Sequence, residues 1–565
     1  MADRSEKQAN RRIRLLLLFF GLVFAAALAR ASWLQVVRAS TLGKLAVRQH
    51  EETVVTPANR GTIFDASGSP LAIGEQATTV YADPREVTEP LQVAKAAAKA
   101  FKIDPNTLYG ELLARKTQFV YVQRFADPKA ASAFLADDFA GVSSYPEEKR
   151  FYPQHGVAAQ VIGFAGTDDH GLGGLELEFD HQLSGRPGKQ TIVRTPVGRA
   201  INVVSSVPTR QGSDVFTTID ERIQANAEAI LRETVAQYGA RAATAIVLDP
   251  HTGSVLAMAQ APGYDANRTA NVNPELTTNR AVTDVFEPGS VFKLVTVGGA
   301  LSQHLVTPTT KFKLPPCIQV ADRCIHDAET RPTEWMSVSQ ILARSSNVGA
   351  VTIARKLGPP ALEKWIARFG FGRTTGIDFP GESVGLVPKW PEQWSGTTIG
   401  NVPIGQGIAV TSVQIAAAYA AIANDGVWVQ PHLVSRVGGS YIARPKRRRV
   451  VSVAVDRELK TMLTGVVDEH GATGNEAQIP GYSVAGKTGT AQIPGPHGYT
   501  TGKYVASFVG FVPVRKPRLL ILVSVQEPHG SIYGGTVAAP AFRQIAQFDL
   551  QYLGIAPDQP VTTTP

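Results

Sequence analysis

Cysteine is nearly absent from the chain: Cys317 and Cys324 are the only two among 565 residues. No C-x-x-C pair, H-E-x-x-H run or other metal-ligand spacing accompanies them, which excludes a zinc-stapled or thioredoxin-like site. Internal repeats are also missing, so solenoid and propeller architectures drop out. Charged residues make up only 18% and hydrophobic residues 44%, a balance that excludes a disordered or fibrous chain. The eleven histidines are scattered and form no triad with a serine and a carboxylate. Long apolar runs are lacking too, except for one at the N-terminus.

What is present is a chain long enough for two or three domains, with a net charge of +8 and a pI near 9.3. A basic balance of this kind fits nucleic acid, anionic lipid or anionic wall polymers, and location decides among them. Arg11, Arg12 and Arg14 precede the uncharged run Leu15–Ala29, and apolar residues continue past Arg30 through Trp33, Leu34, Val36 and Val37. The strict run gives roughly 22 Å of helix. Arg14 and Arg30 snorkel and Trp33 suits the interface, so 15–37 reads as one tilted anchor with 1–14 in the cytoplasm. Arg38, Lys44 and Arg48 weaken that charge asymmetry. A cleaved signal peptide ending at Ala27-Leu28-Ala29 is the alternative. Either way the remainder is exported, which excludes nucleic acid. It also allows a local Cys317–Cys324 disulfide, the other reading being two reduced, half-buried cysteines.

Beyond the anchor the pattern predicts an elongated mixed module over 38–207, a larger module over 208–556 and a disordered Pro/Thr-rich tail over 557–565. Helices are expected at Pro90–Phe101 and 106–115, and another after the N-cap Asp220. Two hairpins of apolar strands follow, 242–248 with 254–259 and 504–514 with 519–525, then a closing helix over 538–553. Strands at both ends with helices between them predict an α+β fold, an antiparallel sheet covered by helices. The basic run Lys446–Arg449 reads as a solvated loop, the alternative being contact with anionic lipid or wall polymer.

Three short constellations carry chemistry. Ser290-Val291-Phe292-Lys293 follows Glu287-Pro288-Gly289, so Ser290 is expected to open a helix and Lys293 to share its face. A serine hydroxyl needs a base to become a nucleophile. For Lys293 to serve near neutrality its pKa must fall by roughly three units, about 4 kcal/mol, through burial and a nearby cation. Ser345-Ser346-Asn347 offers a hydroxyl for proton relay and an amide for a substrate backbone, or else a helix cap. Lys487-Thr488-Gly489-Thr490 offers the second cation, two hydroxyls for a carboxylate, and a glycine where a substrate strand can approach; the Thr490 and Ser290 N–H groups together suit an oxyanion. Each motif alone is weak. Their order in an exported chain is specific.

S-x-x-K, S-x-N and K-T-G in this order resemble the penicillin-binding proteins and serine β-lactamases. Arg60-Gly61-Thr62-Ile63-Phe64-Asp65, Arg150-Phe151-Tyr152-Pro153, Gly174-Leu175-Glu176 with Phe179-Asp180, Thr218-Ile219-Asp220 and Pro403-Ile404-Gly405-Gln406-Gly407 are similar to stretches of the class B penicillin-binding proteins, the septal division type among them. The resemblance implies a peptidoglycan D,D-transpeptidase acting through an acyl-serine. Ser290 would be the nucleophile and Lys293 its base; Ser345 and Lys487 would support proton transfer, and Asn347, Thr488, Gly489 and Thr490 would hold substrate. It implies stem peptides ending in D-Ala-D-Ala and β-lactams as ligands, and no metal or organic cofactor. It also implies a single-pass inner-membrane anchor, with a multi-span glycan polymerase and other division proteins as partners. A β-lactamase fits less well, because the chain before the motifs is long and no carboxylate is placed for deacylation. A β-lactam sensor needs a cytoplasmic effector that fourteen residues cannot supply. A non-enzymatic division scaffold, and an elongation or sporulation transpeptidase, stay open.

Overall fold

The computed structural model describes residues 2–38, 40, 51–56, 58–194, 200–442, 444–495 and 498–560. Lys44, Arg48 and residues 561–565 of the tail lie outside them. Two compact units divide the chain: Met1–Ala58 with Gly185–Gln211, and Asn59–Ser184 with Gly212–Pro565.

In the first unit, α1 (Ala2–Ser32) runs on into a π turn, Trp33–Val37. Lys7–Val37 is long and apolar enough to cross a membrane, and its leucines and phenylalanines face outward. At 1.5 Å per residue these 31 residues span about 46 Å, more than the roughly 30 Å of a hydrocarbon core. This helix extends beyond the apolar run at both ends, as a membrane anchor requires. Glu51–Thr56, Gly188–Arg194 and Ala200–Val207 form an antiparallel three-stranded sheet in that order.

In the second unit, strands Ile63–Phe64 and Pro70–Ala82 precede helices Pro90–Phe101, Pro105–Ala114 and Pro128–Leu135, each with proline in its first turn. Asp104 and Asp127 cap two of them by accepting backbone N–H bonds. Val93, Ala97, Leu108, Leu112 and Phe134 bury a separate small core against strand Val120–Ala126. Three of the signature motifs converge on one buried ion cluster. Arg60 Nε lies 2.7 Å from Glu176 Oε2, Arg150 Nε lies 2.7 Å from Glu176 Oε1, and Arg60 Nη1 reaches Asp180 Oδ1 at 2.7 Å. Charges this deep are tolerable only when paired, which explains why widely spaced motifs carry matched signs.

The larger part of this unit contains α2 (Glu221–Tyr238), capped by Asp220 as expected, then β1 (Ala242–Leu248) and β2 (Val255–Ala261). Next come α3 (Lys293–Ser302), α4 (Asn347–Leu357), α5 (Pro359–Phe369) and α6 (Ser412–Ala423). The closing elements are β3 (Ala485–Gly495), β4 (Gly498–Val512), β5 (Leu519–Gln526) and α7 (Gly534–Tyr552). The sheet is antiparallel in the order β2-β1-β5-β4-β3, which leaves β3 at the edge.

Strand alternation explains the continuous apolar runs. Leu519, Ile521, Val523 and Val525 of β5 join α2 and α7 in one core, while Leu520 and Leu522 join α3 and α6 in the other. A sheet buried on both faces has no polar side to show. The α6 helix is buried along its whole length, held at its start by a Thr411–Gln414 capping box. Two expectations need correction. Arg447–Arg449 is a strand paired with Val427–Val429, because Trp428 gives Arg448 a ring to cover, at 4.7 Å from the ring centre. The tail begins in contact, with Ser483 N donating to Asp558 Oδ1 at 2.7 Å.

Candidate active site

Pro288 and Gly289 break the chain where expected, and Ser290 lies in a 3-10 turn, Gly289–Phe292, that passes directly into α3. The turn is locked from behind. Gly289 N donates to Gly405 O at 3.0 Å, and Gly407 N to the Glu287 carboxylate at 2.8 Å. Gly405 has φ +78°, and a Cβ there would sit 2.1 Å from Gly289 O, so this loop admits only glycine. Tyr419 of α6 adds a hydrogen bond to Val291 O at 2.7 Å. The turn that carries half-buried Ser290 is therefore fixed by three bonds from two separate segments.

Lys293 is 0% exposed and points back along the helix face. Its Nζ lies 3.0 Å from Ser290 Oγ, 2.8 Å from Asn347 Oδ1, 3.2 Å from Ser345 Oγ, and within hydrogen-bond reach of Ser345 O. Ser345 delivers both its groups because it adopts φ +59°, a sharp left-handed corner before α4. Ser346, the middle residue of the motif, caps α4 by accepting from Gly349 N, so the capping reading applies to Ser346 while Ser345 and Asn347 face Lys293. Asn347 Nδ2 donates to His326 O at 3.0 Å, which orients the amide so that Oδ1 faces the lysine. Of the four neighbours, Ser345 O and Asn347 Oδ1 can only accept. An uncharged amine spends its two N–H bonds on them and keeps a lone pair for a hydroxyl proton.

The K-T-G-T segment lies on the edge strand β3, close beside the Ser290 turn. A Cβ at Gly489 would meet Ser507 Oγ at 2.3 Å and Pro288 O at 3.1 Å. Thr490 O lies next to Gly289 on the same side. Lys487 is 0% exposed. It donates to the Thr488 carbonyl and hydroxyl at 3.2 Å, and among the described residues it makes no hydrogen bond to Ser290, Lys293 or Ser345. The Thr488 hydroxyl donates onward to Thr473 at 2.7 Å.

The family model for the penicillin binding protein transpeptidase domain matches residues 243–547, and that for the penicillin-binding protein dimerisation domain matches 55–217. The chain is 33% identical to the peptidoglycan D,D-transpeptidase FtsI of Escherichia coli K12, covering 98% of this chain and 94% of that one. It is 32% identical to the probable peptidoglycan D,D-transpeptidase PbpC of Pseudomonas aeruginosa, covering 98% and 97%. The crystal structure of penicillin binding protein 3 from Mycobacterium tuberculosis complexed with aztreonam matches with a TM-score of 0.71 at 30% identity, covering 90% and 99%. This chain belongs to the penicillin-binding protein family.

The electrostatics of this penicillin-binding protein differ in one respect from the reading of the motifs. Burial brings the Lys293 pKa down to about 7, and the Asp327 carboxylate opposes the fall. Lys487, expected to be the cation that depresses Lys293, is itself pushed well below the ordinary lysine range, first by burial and then by Lys293. Desolvation is thus the main lever on both lysines, and two ammonium groups cannot share so dry a site.

Asp327 went unrecognised in the sequence. It accepts from Ser346 Oγ at 3.0 Å and from Val348 N at 2.9 Å, and pairs with Arg331 Nε at 2.5 Å. It follows the hairpin Cys317–Val320 with Arg323–His326, in which Cys317 and Cys324 are joined by a disulfide. Val320 of that hairpin packs with Ala350 and Val351 of α4, so the disulfide-closed segment supports the Ser345–Asn347 corner. Glu287 and Tyr499 form a second feature without a motif. Tyr499, at the tip of the β3–β4 hairpin, donates to Glu287 at 3.0 Å, and burial raises the Glu287 pKa while this bond and the Gly407 N–H oppose the rise.

Proposed function

We propose that this penicillin-binding protein is a serine-type peptidoglycan D,D-transpeptidase that cross-links stem peptides in septal wall synthesis. The observation that carries the reading is an amine held near neutrality by burial, 3.0 Å from a serine hydroxyl in a locked turn. Ser290 attacks the carbonyl of the penultimate D-Ala of a stem ending in D-Ala-D-Ala, and Lys293 takes its proton. Terminal D-Ala leaves, and an amine from a second stem resolves the acyl-enzyme. Ser345 and Lys487 assist proton transfer. Asn347, Thr488, Gly489 and Thr490 hold the substrate strand against the open edge of β3, where backbone pairing is available. β-Lactams acylate the same serine.

The septal assignment rests on the end-to-end likeness to FtsI. We read 1–14 as cytoplasmic, 15–37 as the anchor, 38–207 as the N-terminal module and 208–556 as the catalytic domain, on the outer side of the membrane. Arg11, Arg12 and Arg14 before the apolar run and the Cys317–Cys324 disulfide support this orientation. A multi-span glycan polymerase and other division proteins are the partners we assign to the anchor and N-terminal module.

Full-length protein in detergent, given a donor peptide ending in D-Ala-D-Ala and an amine acceptor, is expected to release D-Ala in step with cross-linked product, while Ser290→Ala releases none. Equal release by both proteins would refute the assignment.

A further inference from the structure

The basic strand 447–449 takes no part in this chemistry, and the placement of its side chains points elsewhere. They alternate: Arg447 donates to His251 O at 2.9 Å and Arg449 to Asp425 O at 2.8 Å, while Arg448 covers Trp428 and reaches Arg368 O of α5. Beside it lies an open cavity of about 450 Å³ lined by Gln303, Lys364, Trp365, Ala367, Arg368 and Arg373. Three cations, Lys364, Arg368 and Arg373, therefore line this space, and Arg448 adjoins it through its bond to Arg368 O.

Each guanidinium is already pinned at one edge. Arg368 lies 5.1 Å over the Trp365 ring and donates through Nε to Val450 O at 2.6 Å. Arg373 donates to Ala367 O, and Arg448 to Arg368 O. The N–H groups not used this way remain for a ligand. Among the described residues no carboxylate forms an ion pair with Lys364, Arg368, Arg373 or the adjoining Arg448. The nearby acids are committed: Glu363 accepts from Trp390 N, and Glu382 from Thr375 N and Gly376 N. Burial and then the charges of Arg373 and Arg368 depress Arg448 to about 10.

Lys364 and Arg368 stand four apart on α5, a like-charge spacing that weakens a helix, and two further arginines crowd the same place. Such a conflict with local rules marks a functional site when something compensates it. Guanidinium forks match phosphate oxygens, and a carboxylate brings only one charge and two oxygens to three lining cations. We propose that this cavity is a binding site for a phosphate or diphosphate group. It is separate from the acyl-serine site and independent of that reading. Gln303 ends α3, so the cavity lies at the far end of the helix that follows Ser290, on the order of 20 Å away at 1.5 Å per residue.

Calorimetric titration of the full chain in zwitterionic detergent at physiological salt tests this, with sodium pyrophosphate and short-chain phosphatidylglycerol as separate probes. One saturable site is expected, weakened about tenfold or more in Arg368→Gln/Arg373→Gln and unchanged in Arg447→Gln, which changes the same strand on its other face. Unaltered thermal unfolding of the variants shows that they fold. Saturation by pyrophosphate alone assigns a soluble phosphate, and saturation by phosphatidylglycerol alone a lipid headgroup. No saturable binding of either, or equal binding by the double variant, overturns the proposal.

Discussion

Replacing Lys293 with methionine is expected to slow acylation of Ser290 by about 10²–10⁴-fold at pH 8, the usual contribution of a positioned base. Methionine keeps the volume in a site that is fully buried and removes the amine 3.0 Å from the hydroxyl. The wild-type rate carries a signature the variant lacks. With a pKa of about 7, Lys293 is mostly uncharged at pH 8 and mostly charged at pH 6. Acylation should therefore fall about tenfold per unit below pH 7 and level off above it. Stability follows a related rule. The folded pKa lies below the ordinary lysine value of 10.5, so the unfolded chain holds the extra proton between about pH 7 and 10.5. Stability contributed through this group accordingly rises with pH across that window, and Lys293→Met abolishes the rise. Stopped-flow acylation and thermal unfolding across pH check both statements.

Asp327→Ala is expected to destabilise the protein by about 3–5 kcal/mol, the cost of breaking a buried ion pair by removing one partner. Its side chain is 10% exposed and that of Arg331 12%, so little solvent screens the loss. Ser346 Oγ and Val348 N lose their acceptor as well, which loosens the corner that aims Ser345 at Lys293. Asp327→Asn separates the two effects. It retains an acceptor for those donors but removes the charge that holds the Lys293 pKa up, so the acid limb of acylation moves below pH 7. Denaturant unfolding and the pH profile read them independently.

Much of this site was legible because its signals are local. Pro288-Gly289 before an apolar stretch, the Asp220 cap and the two apolar hairpins each carry their structural reason within a few residues. The Asp327 anchor was not legible, since its partners Ser346 and Val348 lie about twenty positions away and nothing in an H-D-A-E-T stretch announces them. The basic run was half legible. Lys446, Arg447 and Arg449 are exposed as read, but the strand pairing with Val427–Val429 and the Trp428 ring under Arg448 have no local signal. Motif order likewise put Lys487 near Lys293 but gave no measure of burial, and burial is what sets both amines.

Every step assigned to this site runs through a covalent acyl-enzyme at Ser290. Membranes holding the wild type or Ser290→Ala, incubated with a fluorescent penicillin and resolved on a denaturing gel, test it most directly. A labelled band of the full-length chain is expected in the wild type alone. An unlabelled wild type that is folded and inserted, or equal label on Ser290→Ala, would contradict it.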